Sequence, residues 1–366
     1  MQRNGRESDS KFGKHGCNSK MEKRILIVRL SAIGDSILSV PVLCALRKHY
    51  PGAKIAWITE RASAQLLQGH PALDDLFVIS KRTFKSVKEL WKLRKRLQDW
   101  NPDTTIDLQG LTKSSLLAWL SGAKHRFGFN RDTFDGRELS TFLNNHLYQS
   151  DSNHIVDRGI DLLGLLGIQD KTIAFDLPEF ESDSNFAKQS LLALGLAGPF
   201  AILNVGAGWP SKIWPSPRYA DVANHLGHHH GLPSLIVWSG DQERLAAVQV
   251  VDKSNSFSKL APSTSLTQLR SLIRRSRIFI GSDTGPMHLA SALGVPTIGM
   301  IGPMPLSRVS PYGSHNIGIQ QDSLPIQLSS QRKTNCGPML SIRVEDVTSA
   351  CDSMLKELYQ LHKKLA

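Results

Sequence analysis

Residues Phe279–Pro303 read FIGSDTGPMHLASALGVPTIGMIGP, and this stretch decides the fold. A short apolar strand ends near Gly281, a polar turn follows it, and a helix begins near Pro286, a position that tolerates the missing amide of proline. A second apolar strand starts at Pro296. Continuous apolar runs of this length are typical of parallel strands that are covered on both faces of the sheet. The order strand, helix, strand therefore predicts a doubly wound α/β domain.

The polar turn in this stretch is predicted to bind an anion. Asp283 or Thr284 can cap the helix that follows. The free amides of Gly285, Met287 and His288 would then point beyond the carboxyl end of the strand, which is where open α/β sheets bind ligands. We therefore expect a nucleotide or a phosphate here. The alternative is an ordinary capped turn, because Asp, Thr and Gly are common turn residues.

Strand and helix patterns alternate over the rest of the chain. The predicted strands are 24–30, 53–59, 75–79, 103–108 and 125–129 in the first half, and 200–205, 234–238, 277–281 and 296–301 in the second. This alternation predicts a parallel, doubly wound sheet in each half. We expect two Rossmann-like domains that face each other across a cleft, and a ligand in that cleft.

The acidic segment 176–183 marks the expected domain boundary. Residues 1–20 lack periodicity and are expected to be a disordered tail, followed by an N-terminal domain at 21–180 and a C-terminal domain at 181–366. Residues 304–342, rich in Pro, Ser and Gly, are predicted to be loop. Val344–Leu365 is predicted to be a long helix that either completes the second domain or packs back on the first.

Length and composition exclude several classes of protein. A chain of 366 residues with 40% hydrophobic side chains suits two globular domains. We find no apolar run of about 18 residues and no signal-peptide core. The cysteines have no close pairing, which argues against a disulfide framework or a zinc site and favours the cytoplasm. They are Cys17, Cys44, Cys336 and Cys351.

The net charge of +12 is concentrated in two segments. Residues 81–96 hold eight basic side chains and one acidic one, which gives +7, and residues 1–20 contribute +3. Residues 81–96 are predicted to lie in an amphipathic helix with Val87, Leu90, Leu93 and Leu97 facing inward. The basic face is either simply solvated or a surface for anionic lipid headgroups or a phosphorylated acceptor. No nucleic acid partner is expected, because no recognition motif accompanies the charge.

The first strand of the chain is followed by the turn Ser31–Ser36, which contains Gly34 and Asp35. Gly34 permits a tight turn, and Asp35 would project from the next helix into the cleft, facing the helix start at Gly285. A carboxylate at a cleft edge can act as a general base toward an acceptor hydroxyl. The alternative is that Asp35 only caps the helix.

The second domain opens with glycines after a strand, but the pattern is not that of a dinucleotide fingerprint. Lys212, in the segment Ser-Lys-Ile-Trp-Pro, is predicted to face the cleft, where its ammonium would neutralise a diphosphate; the alternative is an exposed loop lysine. The chain has no Asp-x-Asp, so no metal-binding carboxylate pair is expected beside the diphosphate. No metal site is expected at His228–His230 either, since adjacent histidines on a helix point in different directions.

Basic residues of the first domain are expected to line the acceptor side of the cleft. Lys113 follows a glycine turn after the strand at 103–108. Three arginines complete the expected set: Arg126, Arg137 and Arg158.

Taken together, the ordered motifs resemble the ADP-heptose:lipopolysaccharide heptosyltransferases, glycosyltransferase family 9, and within it the heptosyltransferase I group. The motifs are IVRLSAIGDSIL, IDLQGLTKSSLL, GRELSTFLNNH, HIVDR, SKIWP and the stretch at 279–303. The resemblance runs from about Arg24 to the C-terminal helix. It departs from the family at Gly206-Ala-Gly-Trp, where we associate heptosyltransferase I with hydroxyl-bearing residues.

The resemblance implies a GT-B fold and an inverting, metal-independent transfer without a cofactor. It assigns the general base to Asp35 and the phosphate contact to Lys212. It assigns the ADP-sugar site to the turn with Asp283, Thr284, Gly285 and His288, and the nucleoside contact to Glu243. The N-terminal domain would bind the acceptor, and the C-terminal domain the nucleotide sugar.

The leading hypothesis is transfer of L-glycero-D-manno-heptose from ADP-heptose to a Kdo sugar of a lipid A precursor. This would occur in the cytoplasm, with the basic segment 81–96 holding the enzyme peripherally at the inner membrane face. One alternative is a related transferase that uses another nucleotide sugar or another core acceptor. A second alternative is a non-catalytic binder of anionic lipid or nucleic acid on the same scaffold.

Overall fold

The computed structural model describes residues 23–132, 134–322 and 337–365, and these form two six-stranded parallel sheets with flanking helices. The predicted two-domain α/β architecture is confirmed. The expected tail, residues 1–20, lies outside the described residues.

The first sheet has the strand order β3-β2-β1-β4-β5-β6. Its strands are Arg24–Val28 (β1), Lys54–Glu60 (β2), Asp75–Ile79 (β3), Thr104–Asp107 (β4), His125–Phe129 (β5) and His146–Tyr148 (β6). In β1, Ile25, Leu26 and Ile27 are completely buried, as the continuous apolar pattern predicts for a central parallel strand. The strand order reverses between β1 and β4, so the carboxyl ends of these two strands form the ligand crevice of a doubly wound sheet.

The second sheet has the order β12-β11-β10-β7-β8-β9, which is the same Rossmann-type arrangement. Its strands are Ala201–Asn204 (β7), Ser234–Val237 (β8), Ser258–Leu260 (β9), Ile278–Ser282 (β10), Thr297–Met300 (β11) and Ile317–Ile319 (β12). The strand order of this sheet reverses between β7 and β10. The ligand crevice is therefore bordered by β10, which belongs to the stretch 279–303.

Helices cover both sheets in the described residues. In the first domain they are Ile33–Leu38 (α1), Val40–His49 (α2), Arg61–Leu67 (α3), Val87–Trp100 (α4), Thr112–Leu120 (α5), Ser140–Leu143 (α6) and Ile155–Leu162 (α7). In the second they are Glu181–Ala193 (α8), Ser216–His230 (α9), Gly240–Lys253 (α10), Leu266–Ile273 (α11), Gly285–Ala292 (α12), Leu306–Val309 (α13), Gly337–Ser341 (α14) and Val344–Leu365 (α15). Since α7 packs on α2 and α8 on α11, the chain passes between the domains after α7.

Some sequence-based predictions of local structure were wrong. The predicted loop at 304–342 contains α13, β12 and α14 in its described parts, because its short apolar runs pack on the second sheet. The basic helix α4 begins only at Val87, whose side chain is 73% exposed rather than facing inward. Leu93 and Leu97 are buried as predicted.

The final helix α15 completes the second domain. Its residues Val347, Cys351 and Met354 are buried in the core that also holds the apolar side of α9. The alternative in which this helix packs back on the first domain is therefore not the arrangement observed. Among the described residues, none of the helices combines the length and the apolar character that crossing a membrane requires.

Candidate active site

The turn after β1 and the turn after β10 meet directly between the domains. A Cβ atom on Gly34, in α1, would lie 2.6 Å from Cδ2 of His288, and a Cβ atom on Gly285 would lie 2.9 Å from Cγ2 of Ile33. Such distances are too short for real side chains, so both glycines are needed for the close approach of α1 and α12. The structure brings together the two corners that the sequence predicted to face each other, but they touch where we expected a gap.

Asp35 lies at this contact and forms an ion pair with Arg29. Its Oδ2 atom is 2.8 Å from an Nη atom of Arg29 and accepts a hydrogen bond from the amide of Ala32 at 3.3 Å. Asp35 is the third residue of α1 and the N-cap is Ala32, but its bond to the Ala32 amide is a capping contact, so part of the alternative interpretation holds. Burial opposes its ionisation, but Arg29, the Ala32 amide and the nearby His288 outweigh this, and the pKa of Asp35 is lowered.

On the opposite side of the contact, Asp283 holds both Lys212 and His288. Its Oδ2 atom lies 2.5 Å from Nζ of Lys212, and its Oδ1 atom lies 3.0 Å from Nε2 of His288. Burial raises the pKa of Asp283, but Lys212 and His288 outweigh burial and lower that pKa to about 2. Lys212 lies on the segment Pro210–Lys212, beside the ring of Trp209 and next to the turn after β10.

The start of α12 differs in detail from the predicted anion site. Thr284 occupies the cap position, but its hydroxyl donates to the Ser282 carbonyl at 3.1 Å and does not cap the helix. The amide of His288 is also not free, since it donates to the Thr284 carbonyl. The backbone amides that remain available to bind a ligand are those that precede His288 in α12, beginning with the amide of Gly285.

Glu243 lies against the glycine loop that follows β7. A Cβ atom on Gly206 would lie 2.0 Å from Oε2 of Glu243, so this carboxylate occupies the space that the glycine leaves. The amide of Ser239 donates to the same oxygen at 2.8 Å. Burial raises the pKa of Glu243. Glu243 thus lies near the carboxyl ends of β7 and β8, as a nucleoside contact requires.

The basic residues predicted on the acceptor side do not form one group. Lys113 is exposed at the start of α5, and Arg137 is bonded through its amide to the Gly110 carbonyl in the loop after β4. The guanidinium of Arg126 instead donates to the carbonyls of Ala123 and Leu143, near the amino ends of β5 and β6. Lys113 and Arg137 thus lie beside the loop that follows β4, whereas Arg126 lies at the opposite, amino-terminal end of the strands.

Arg158 is buried in an ion-pair network that links the two domains. Its guanidinium contacts Asp132 and lies 2.8 Å from Asp135. Asp135 in turn accepts from Arg308 of the second domain at 3.1 Å. Because these ion pairs engage its guanidinium, Arg158 is not free to bind an acceptor in this structure.

Two further bonds connect the domains beside this network. His154 lies 2.9 Å from the carbonyl of Ser310, and the hydroxyl of Tyr312 donates to Asp157 at 2.7 Å. These residues border a groove of about 550 Å³ between α7 and the segment around α13.

Sequence reasoning missed Arg29, Asp135 and Arg308. Arg29 had a visible signal, because it is a charged residue next to the end of an otherwise apolar strand. Asp135 and Arg308 are 173 positions apart, and no local pattern connects them.

The arrangement pairs a carboxylate on one domain with a cationic turn on the other. A carboxylate can accept a proton from a hydroxyl, and a lysine with helix amides can neutralise a diphosphate. Two Rossmann-like domains with these groups at facing sheet edges have the architecture of the GT-B class of folds, which is typical of glycosyltransferases.

Comparison with known proteins identifies the family. Residues 90–337 match the profile of glycosyltransferase family 9 (heptosyltransferase). Because the match covers more than half of the chain, this protein belongs to glycosyltransferase family 9.

Curated relatives and solved structures agree with this assignment. Lipopolysaccharide heptosyltransferase 1 of Pseudomonas aeruginosa is 26% identical over 82% of this chain and 84% of its own length. Lipopolysaccharide heptosyltransferase 3 of Escherichia coli K12 is 26% identical over 74% and 79%. A family 9 crystal structure from Veillonella parvula superposes with a TM-score of 0.78 at 25% identity, covering 92% of this chain and 98% of that one. E. coli WaaC with ADP gives a TM-score of 0.70 at 21% identity, covering 91% and 98%, which supports the fold.

Proposed function

We propose that this enzyme transfers L-glycero-D-manno-heptose from ADP-heptose to a Kdo sugar of the lipopolysaccharide inner core, with inversion and without a catalytic metal ion. The observation that carries the proposal is the direct contact between the turn with Asp35 and the turn with His288. This contact supports the proposal, because the candidate base lies beside the turn that we propose binds phosphate. The curated relatives are named lipopolysaccharide heptosyltransferases, which supports the choice of sugar and acceptor.

In the proposed step, Asp35 accepts the proton of an acceptor hydroxyl while that oxygen forms a bond to the anomeric carbon. The bond from the anomeric carbon to the diphosphate breaks on the opposite side, and ADP leaves with the electron pair. Lys212 and the first amides of α12 stabilise the charge on the leaving diphosphate. The lowered pKa of Asp35 keeps the carboxylate ionised at neutral pH, although it also makes the carboxylate a weaker base.

Donor binding requires a rearrangement of the ion pairs at the site. Lys212 is paired with Asp283 at 2.5 Å, and its side chain is only 13% exposed. A bound diphosphate would share Lys212 with Asp283, and the two domains must separate locally, since α1 and α12 touch. We propose that the enzyme opens at this contact to admit the donor.

The direct test is incubation with ADP-heptose and a Kdo-lipid A acceptor, followed by mass spectrometry of the lipid. The proposal predicts a mass increase of one heptose unit and release of ADP. Absence of transfer by folded protein that still binds ADP would reject this acceptor. Thermal shifts with ADP, UDP and GDP test the donor, since a ligand that binds only the native state raises its melting temperature.

A second candidate is heptose transfer to a later position of the core. It is favoured by the equal identity, 26%, to a heptosyltransferase 1 and a heptosyltransferase 3. A competition experiment distinguishes the two candidate functions. It offers Kdo-lipid A and an acceptor that already carries heptose in the same reaction. Transfer only to the second acceptor would support the later position.

We also propose that α4 binds the anionic surface of a membrane. Val87 and Trp91 are 73% and 60% exposed on this helix, next to the exposed lysines Lys88, Lys92 and Lys95. An exposed tryptophan among lysines suits the headgroup region, and each lysine near an anionic bilayer contributes about 1 kcal/mol. Such binding would bring the cleft to a lipid-anchored acceptor.

Vesicle cosedimentation tests this surface. The wild-type protein should bind vesicles with phosphatidylglycerol more strongly than neutral ones, and the triple change Lys88→Glu, Lys92→Glu and Lys95→Glu should abolish the difference. Lys259→Glu is the control, because Lys259 is exposed on β9 of the second domain. Equal binding by the triple variant would contradict the proposal.

A further inference from the structure

Two histidines of α9 and one aspartate of α15 form a cluster outside the active site. Nε2 of His225 lies 2.7 Å from Oδ1 of Asp352, and Nε2 of His230 lies 2.6 Å from the same oxygen. The three atoms lie within 4.8 Å of one another. The sequence predicted no metal site at His228–His230; of that run only His230 joins the cluster, together with His225, five residues earlier on α9.

The local structure explains why these side chains converge. The helix α9 ends at His230, and Gly231 follows in the left-handed conformation, so His230 belongs to the last turn. His225 lies five residues earlier, and Asp352 reaches both rings from α15, which packs along α9. The rings are about one quarter exposed and the carboxylate is half exposed, so an ion from solvent can reach them.

The three ligand atoms suit a divalent metal ion that is intermediate between hard and soft, such as Zn²⁺. Two imidazole nitrogens and one carboxylate oxygen are ligands that Zn²⁺ prefers, and water can complete a tetrahedral shell. Ligand atoms around tetrahedral Zn²⁺ are separated by about 3.4 Å. The two N–O pairs would therefore open by less than about 1 Å, which small rotations of partly exposed side chains can supply.

We propose that His225, His230 and Asp352 bind a divalent transition-metal ion of the Zn²⁺ type. The ion is structural: it links the end of α9 to α15 and so fixes the C-terminal helix on the second domain. The cluster takes no part in the transfer step, because the candidate active site lies at the contact of α1 and α12. This proposal is independent of the donor and the acceptor.

The test uses full-length protein without an affinity tag, cleared of metal by chelation and titrated with ZnCl₂. Calorimetry should show one site in the wild type, and Zn²⁺ should raise its melting temperature. His225→Gln and Asp352→Asn should each weaken Zn²⁺ binding at least tenfold and remove the thermal shift. The melting curves of both variants without metal establish that they fold.

His228→Gln is the matched control, because the ring of His228 packs edge-on against Phe257 at 4.5 Å and has no bond to Asp352. It should bind Zn²⁺ like the wild type. Visible absorption of the Co²⁺ form provides a second readout that reports ligation directly. Absence of Zn²⁺ binding, or equal binding by wild type, His225→Gln and Asp352→Asn, would overturn the proposal.

Discussion

Asp35 is the residue on which the proposed reaction depends most. Changing Asp35 to Asn keeps the shape of the side chain and removes the proton acceptor, so turnover should fall by about 10²- to 10⁴-fold. ADP affinity should be unchanged, since the phosphate contacts lie on the other domain. Steady-state kinetics and ADP calorimetry measure the two effects. Near-normal turnover would remove Asp35 from the mechanism.

Arg29 forms an ion pair with Asp35 at 2.8 Å and is one of the groups that favour its ionised form. Because Arg29 lowers the pKa of Asp35, Arg29→Met should raise that pKa, and the acid side of the profile of kcat/KM against pH should move to higher pH. At a pH well above the pKa of Asp35 in both the wild type and Arg29→Met, the carboxylate is ionised in both proteins. The loss of activity in the variant should therefore be largest at acidic pH. An acid limb that does not move would contradict this coupling.

Lys212 is the expected phosphate contact. Lys212→Gln should weaken ADP binding by roughly 10- to 100-fold, the usual loss for a hydrogen bond to a charged group. Calorimetry with ADP measures the loss. Lys113→Gln is the control, because Lys113 is exposed on the first domain, and its ADP affinity should match the wild type. Unchanged affinity in Lys212→Gln would mean that this lysine only neutralises Asp283.

At the scale of elements, the sequence predicted the strands and helices that have a clear apolar pattern and missed the shortest strands. Asp75–Ile79 and His125–Phe129 were predicted with the observed bounds, as was α15, because their apolar patterns are long enough to recognise. The edge strands β6, β9 and β12 have three residues each, too few for a period to be visible. The site was predictable where a motif lies within one turn, as at Asp35 and His288. Arg308 was not, since its partner comes from the other domain.

The contact of α1 with α12 depends on the absence of a side chain at Gly34. Gly34→Ala should push α1 away from His288, because its Cβ atom would lie 2.6 Å from the ring, and should destabilise the protein by about 1–3 kcal/mol. Urea unfolding measures this effect. Gly52→Ala is the control, since its Cβ atom would meet nothing within 4 Å. If both variants have the same free energy of unfolding, the contact of α1 with α12 can adjust to a methyl group at position 34 without loss of stability.

At the scale of the whole molecule, Arg308 joins the domains by reaching Asp135 across the cleft. Arg308→Gln leaves Asp135 paired with Arg158, so the first domain should remain intact while the connection between the domains weakens. We expect a larger radius of gyration by X-ray scattering, with the melting temperature little changed. Arg343→Gln is the control, because Arg343 is exposed and its ion pair with Asp346, the one seen in the described part of the chain, lies within its own domain. If Arg308→Gln scatters like the wild type, the bonds of Ser310 and Tyr312 to the first domain are enough to hold the cleft closed.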